Sequence, residues 1–193
     1  MHYQQKTKKG YDFGEVASAM QKSIRRGLEE DALYWVVELY NSGFSEYAWK
    51  RLQIITSEDV GLAEPHMAAE IEALYQMFLR QAKKTKATED KNAPERLYLV
   101  HAVMKLCRAK KSRAVDWALI HFFGSHNHSK KEIPDFALDK HTERGRRLKR
   151  SWKHFFDVGS WLENLFFIDK EAEYQEKAKD TISHPNGSDL FTE

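Results

Sequence analysis

Apolar residues recur three and four positions apart through most of this 193-residue chain, and no other feature constrains its fold as strongly. This spacing places apolar side chains on one face of an α-helix, whereas a half-buried strand alternates apolar and polar residues. Four prolines and nine glycines separate the periodic segments, as expected where helices begin and end. The sequence therefore predicts an all-α, bundle-like fold with short connections.

Six helices are predicted between residues 11 and 124. Most should start at a side chain that caps a free helical amide, or at a proline in the first turn. The predicted starts are Asp12, Asp31, Ser45, Pro65, Pro94 and Ser112. Glycine is a typical helix end, and the predicted ends include Gly27, Gly43, Gly61 and Gly124. The charged run at 83–93 predicts a solvated connection between the fourth and fifth helices.

The character of the sequence changes after Gly124, where polar residues replace the periodic pattern. We expect a basic N-terminal arm at 1–10, a helical domain at 11–124, a loop plus basic amphipathic helical extension at 125–168, and a charged helix and tail at 169–193. The clustering of cations in the third segment is the first indication of function, because clustered Lys and Arg attract phosphates.

Composition indicates a cytoplasmic protein with no membrane partner. No run of about 18 apolar residues is present, as a transmembrane helix requires. The basic N-terminus lacks the apolar stretch of a signal peptide. The single cysteine, Cys107, excludes an internal disulfide framework and is typical of a reducing compartment. Its apolar helical neighbours predict a buried side chain rather than a nucleophile.

Several short motifs resemble, in order and spacing, the C-terminal region of the RarA/MgsA-type AAA+ ATPases. They are Lys22–Arg25, Asp31–Trp35, Lys50–Leu52, Ser57–Pro65 and Ala109–Ser112. The resemblance covers most of 11–123, whereas the block at 133–156 departs from full-length members of that family. The resemblance implies a clamp-loader-type helical collar through which subunits assemble, with a tetramer favoured. It also implies a role at stalled or damaged replication forks. The structural motif residues it implies are Arg25, Asp31, Trp35, Arg51, Ser57, Glu58, Asp59 and Gly61.

The ATPase activity of that family is not carried over to this sequence. No glycine is followed by lysine, so the phosphate-binding pattern GxxxxGK[ST] does not occur. Nor does an apolar strand end in a carboxylate that would hold magnesium. We therefore expect no catalytic residues and no cofactor.

The neighbouring carboxylates Glu58 and Asp59 predict a structural role, although an acid/base or metal site is the alternative. Adjacent side chains on a helix diverge by about 100°. These carboxylates are instead expected to pair with Arg25, Arg26 or Arg51 at a helix junction and to position the helices.

The pair His126 and His128 raises the question of a metal site. A zinc site needs three or four placed ligands, and this pair lies in a polar, lysine-bearing stretch without a cysteine. We therefore expect a solvated loop and no bound metal, with metal binding by the two imidazoles as the alternative.

Seven cations fall within fourteen positions and are opposed only by Glu143. They are Lys140, Arg144, Arg146, Arg147, Lys149, Arg150 and Lys153. On a helix starting at Arg146, the spacing i, i+3, i+4, i+7 would place four of them on one face. This pattern favours binding of nucleic-acid phosphates; a solvated face or a contact with acidic residues of another subunit are the alternatives. The aromatic residues at 152–167 are expected to form core or subunit contacts rather than to stack on bases.

These observations favour an oligomerising, non-catalytic accessory protein of DNA replication and recombination that binds DNA or replication proteins. The first alternative is an adaptor that docks on a separate AAA+ ATPase without touching DNA. A metal-dependent hydrolase is the least favoured, because no carboxylate or histidine group has convincing ligand spacing.

Overall fold

The computed structural model describes residues 5–88, 92–124, 129–166 and 168–183. The chain divides into two compact units, Met1–Asn127 and His128–Glu193. In the described ranges the regular elements are helices, apart from one isolated antiparallel bridge between Lys6 and Asp12. The predicted all-α fold class is confirmed. None of the described helices has the length and apolar character needed to cross a membrane.

Within its described residues the first unit has six α-helices, and two short irregular turns join the third to the fourth. The helices are α1 Phe13–Arg26, α2 Glu29–Asn41, α3 Ser45–Ile55, α4 Met67–Thr88, α5 Arg96–Arg108 and α6 Ala114–Gly124. The joining segments are a π-turn at Thr56–Val60 and a 3₁₀ turn at Gly61–Ala63. The π-turn carries the carboxylates that the sequence motifs single out.

The core of the first unit lies between α1, α2, α3, α4 and α5. Met20 and Ile24, one helical turn apart on α1, are fully buried. Trp49 of α3 is also fully buried, and its ring centroid lies 5.3 Å from those of Tyr75 and Phe78 on α4. Burial of these large side chains supplies the main favourable free energy of folding for this unit.

Helix α1 begins and ends at the predicted residues. The Asp12 carboxylate accepts a hydrogen bond of 3.0 Å from the Glu15 amide, and Gly27 adopts φ 71° at the C-terminal end. The predicted Ser45 cap of α3 was wrong, since Ser45 is the first helical residue and Phe44 precedes it without a side-chain cap. The Phe44 ring packs on Phe13, with centroids 4.6 Å apart, and this contact fixes where α3 starts.

Helix α4 extends further than the sequence indicates. Residues 83–88, predicted as part of a solvated connection, continue the helix to Thr88. The reason is a buried anchor: the Glu95 carboxylate accepts hydrogen bonds from Thr85 at 2.8 Å and from Tyr40 at 2.7 Å. These bonds tie the end of α4 to α2 and to the start of α5.

Cys107 lies buried on α5, as its neighbours predict. Burial raises the pKa of its thiol to about 11, so the reactive thiolate is scarce near neutral pH. At the end of the same helix, the Lys111 ammonium group donates to the carbonyls of Leu106, Cys107 and Ala109. These bonds satisfy carbonyls that the end of a helix leaves without partners.

In the described part of the second unit there are three helices and two turns. The helices are α7 Glu143–Arg147, α8 Trp152–His154 and α9 Glu171–Ser183, with a 3₁₀ turn at Asp135–Ala137 and a π-turn at Phe155–Gly159. The charged helix expected after residue 168 corresponds to α9. The continuous amphipathic helix expected from Arg146 was wrong, because α7 ends at Arg147 and Lys149 adopts φ 56°.

A Schellman motif ends α7. The Arg150 amide donates to the Gly145 carbonyl at 3.0 Å, and the Lys149 amide donates to the Arg146 carbonyl at 2.9 Å. This pair of bonds, around one residue in the left-handed region, stops a helix. Glycine usually occupies that position. Lysine occupies it here, so no residue type at this point signals the end of the helix.

Candidate functional site

The basic segment is built on a tight turn that precedes α7. The Thr142 hydroxyl oxygen accepts from the Gly145 amide at 2.9 Å and donates to the Asp139 carbonyl at 3.0 Å. The Asp139 carboxylate accepts from the His141 amide at 2.9 Å and lies 3.0 Å from the His141 ring nitrogen. The hydrogen bond from the His141 side chain holds the pKa of Asp139 below its ordinary value. The turn is therefore fixed by local hydrogen bonds.

Aromatic rings from α8 and the following π-turn support this turn. The His141 ring lies 5.4 Å from Trp152 and 5.2 Å from Phe155, both edge to face. Phe156 stacks on Trp152 at 6.0 Å, and the Lys140 ammonium lies 3.6 Å from the Trp152 ring centroid. These rings therefore pack inside the second unit.

The seven cations do not form one helical face. Arg146, Lys149, Arg150 and Lys153, expected on a common face, are divided by the end of α7 and by the turn before α8. Three of the seven are engaged by carboxylates, in the pairs Arg147–Glu143, Arg150–Asp135 and Lys153–Asp157. The shared-face prediction was wrong because the Schellman motif rotates the chain after Arg147.

Three further exposed cations lie on this turn, namely Arg144, Arg146 and Lys149. Within the described ranges, no carboxylate oxygen lies within 4.0 Å of their side-chain nitrogens. Arg146 donates to the His141 carbonyl at 3.1 Å, which holds its guanidinium against the turn. The three form an exposed group of positive charge within six positions, hereafter the α7 cations.

A second polar cluster joins α1 to the π-turn of the first unit. Arg25 donates to Asp59 at 2.5 Å and to Glu58 at 2.8 Å, and the bond to Asp59 raises the pKa of Arg25. The Asp59 side chain is completely buried. Arg51 lies 3.8 Å from Glu58, whereas Arg26 instead donates to a carbonyl of its own helix.

Arg113, at the start of α6, joins this cluster and was not found from the sequence. Its nitrogens lie 3.6 Å from Glu58 and 3.7 Å from Asp59. The Asp59 carbonyl accepts from the Ser112 amide at 3.0 Å. Gly61 adopts φ 52°, and a Cβ added there would lie 3.2 Å from the Ser112 carbonyl. The cluster thus joins α1, α3, the π-turn and the start of α6.

The remaining motif residues lie around the same unit. Asp31 is exposed in the first turn of α2, and Trp35 is half-buried with its ring 5.5 Å from Tyr11. Ser57 is exposed. No group of three metal-ligating side chains is present in the part of the chain that the structure describes. His126 and His128 lie outside the described residues.

Helix α6 is apolar on most of its circumference and yet exposed. Its exposed apolar side chains are Val115, Trp117, Leu119, Ile120, Phe122 and Phe123, with Phe123 at 78%. A cavity of about 560 Å³ separates α6 from α3 and is lined by Ile54, Val115 and Leu119 among others. A helix that is hydrophobic all round is normally buried, so this surface, hereafter the α6 surface, is typical of a protein contact.

The described helices form an all-α domain, the fold class of a C-terminal helical domain of an AAA+ ATPase. More narrowly, the chain belongs to the family described as MgsA AAA+ ATPase C terminal, whose model matches residues 28–183. The match includes most of the second unit and so extends well beyond residue 123, where the motif resemblance ended.

Curated relatives carry the name replication-associated recombination protein A. The protein from Bacillus subtilis is 30% identical over 161 residues, covering 80% of this chain and 36% of its own length. The one from Haemophilus influenzae is 32% identical over 135 residues, covering 69% and 27%. The one from Escherichia coli K12 is 31% identical over 134 residues, also covering 69% and 27%. The chain thus spans about a third or less of these relatives.

Proposed function

We propose that this chain is an oligomerising, cytoplasmic accessory protein of DNA replication and recombination that contacts DNA phosphates through the α7 cations. The names of its relatives support the pathway. The observation that carries the DNA contact is the presence of three exposed cations on one fixed turn, without a carboxylate within 4.0 Å in the described ranges. Each of the neighbouring paired cations lies beside a carboxylate that offsets part of its charge.

The chemistry of the α7 cations suits a phosphate backbone. A guanidinium can bond two phosphate oxygens through its planar fork, and the chain places two guanidiniums and one ammonium within six positions. Binding of this kind releases condensed counterions, so affinity falls as salt concentration rises. If the α7 cations were only a solvated charged face, the chain would show no salt-dependent affinity for DNA through them.

Replacing Arg144, Arg146 and Lys149 with alanine is expected to lower the affinity for DNA and to make that affinity less dependent on salt concentration. Loss of three phosphate contacts lowers the slope of log K against log salt by about 2 on single strands and about 3 on duplex. Fluorescence anisotropy with labelled single-stranded, duplex and forked DNA at several salt concentrations measures this slope.

The matched control replaces Arg147, Arg150 and Lys153, which removes the same formal charge but from cations already held by carboxylates. This control is expected to retain most of the slope. If both variants lose the slope equally, general charge rather than the α7 cations attracts DNA. Absence of binding by the unaltered protein at low salt would remove the DNA role altogether.

Self-association is the second part of the proposed function, and the α6 surface supports it. We propose that α6 of one copy packs against the cavity between α3 and α6 of another, in a tetramer. A head-to-tail contact of this kind joins α6 of one copy to the cavity of the next, and it closes into a ring of four when each step turns by about 90°. The exposed rings of Trp117 and Phe123 are suited to fill a partner's cavity.

Replacing Ile120 and Phe123 with glutamate is expected to convert the oligomer to a monomer. Each change buries a charge in an apolar contact, so the dissociation constant should rise about 100-fold or more. Light scattering after gel filtration measures the mass. Leu97→Glu, at an exposed position of α5, is the control that should leave the mass unchanged.

Two outcomes would contradict self-association through α6. An unaltered chain that is monomeric at high concentration would do so, and so would a double variant that keeps the oligomeric mass. A monomeric chain that binds a purified AAA+ ATPase through the same α6 residues, without binding DNA, would favour the adaptor alternative.

A further inference from the structure

A second basic surface lies in the first unit, on the last turns of α4. A cavity of about 410 Å³ is lined by Met77, Arg80, Gln81, Lys83, Lys84 and Tyr98. Arg80, Lys83 and Lys84 follow i, i+3 and i+4, and therefore lie on one face of the helix. None of the lining residues is a carboxylate. Both lysines lie in the stretch that was predicted, from its charged composition, to be a solvated connection.

Among the described residues, the carboxylates of α4 and of the segment just before α5 have other partners. Both oxygens of Glu95 accept internal hydrogen bonds, and the residue is 4% exposed. Both oxygens of Glu72 accept from glutamine side chains, and Glu70 holds Lys105. In the described ranges, no carboxylate oxygen lies within 4.0 Å of the side-chain nitrogens of Arg80 and Lys83.

The helix dipole does not account for this cluster. Cations are stabilised in the last turn of a helix, and the effect falls off beyond it. Arg80 lies eight positions before Thr88, where α4 ends. Arg80 and Lys83, at i and i+3 on α4, carry like charges that repel each other. An anion in the cavity would offset this repulsion.

We infer that this cavity binds a phosphate of the DNA backbone, as a second contact besides the α7 cations. The inference rests on the proposed function and extends it to the first unit. Arg80 and Lys83 supply the charge, and the half-buried Tyr98 supplies a hydroxyl that can donate to a phosphate oxygen. One chain then holds the DNA backbone at two places, one in each unit.

Replacing Arg80 and Lys83 with alanine in the full chain tests this site. The salt-dependence slope on a 30-nucleotide single strand should fall by about 1.4, since each lost phosphate contact contributes about 0.7. Combined with the three α7 substitutions, the loss should be about 3.5, because independent contacts add. Circular dichroism checks that the helices are retained.

The control replaces Lys105 and Arg108, which removes the same charge from the same unit but from cations that hold Glu70 and Glu29. A slope for the α4 variant equal to that of this control overturns the inference, while an effect of the α7 variant still supports the proposed function. If neither the unaltered chain nor any variant binds DNA, the proposed DNA contact and this further inference both fail. If the Arg80 and Lys83 variant kept its DNA binding but lost binding of polyglutamate, an acidic protein would be the partner. That result would also overturn the inference.

Discussion

Replacing Arg25 with methionine is expected to lower the free energy of unfolding of the first unit by about 3 kcal/mol. Arg25 is the main partner of Asp59, whose side chain is completely buried. Removing one partner of a buried ion pair leaves an uncompensated charge and costs about 3–5 kcal/mol. The lower end applies because Arg25 is partly exposed and Arg113 lies 3.7 Å from Asp59. Urea unfolding followed by circular dichroism measures the loss.

The neighbouring residue provides a matched control for this prediction. Arg26→Met removes the same side chain from the next position, where the guanidinium only donates to the Lys22 carbonyl. Its effect should stay within about 0.5 kcal/mol. Adding Asp59→Asn to Arg25→Met should cost less than the sum of the two single changes. A strictly additive double variant would show that the two side chains act independently.

The first unit was largely predictable from the sequence because its local signals agree with its packing. Asp12 and Gly27 limit α1 through a cap and a left-handed residue, both of which depend on side-chain type. Asp59 was expected to pair with arginine, but Arg113 could not be assigned, since its approach depends on how α6 meets the π-turn. The extension of α4 was missed because Thr85 is anchored by Glu95, ten positions further on.

The second unit was predicted less well because its shape depends on backbone contacts that residue types do not reveal. Lys149 occupies a left-handed position usually given to glycine. The apolar periodicity therefore predicted a helix that continues through Lys149, where the chain in fact turns. The cations were found, but their division into paired and exposed groups depends on Asp135 and Asp157, which lie on separate turns. The exposed α6 surface did have a signal, namely apolar residues on all sides of one helix.

Gly145 gives the second large effect, and helix propensity and packing predict opposite signs for it. Alanine is favoured over glycine inside a helix by about 1 kcal/mol, so propensity alone predicts that Gly145→Ala stabilises α7. However, a Cβ at this position would lie 1.7 Å from the Asp139 carbonyl oxygen and 2.5 Å from its carbon. A backbone carbonyl held by the Thr142 hydroxyl cannot move away without breaking the turn.

Packing should therefore dominate. Gly145→Ala is expected to lower the free energy of unfolding of the second unit by more than about 4 kcal/mol, an unusually large loss for a single substitution. The amides of Arg146, Leu148 and Arg150, which close this turn, should lose their protection from hydrogen exchange, while those of α1 to α5 keep theirs. Gly159→Ala is the control in the same unit, since its Cβ would meet the Phe155 ring at an ordinary 3.4 Å. Unchanged protection in Gly145→Ala would contradict this prediction, because it would mean that the turn accommodates a Cβ without losing its hydrogen bonds and that the close approach of the Asp139 carbonyl does not hold the turn in one arrangement.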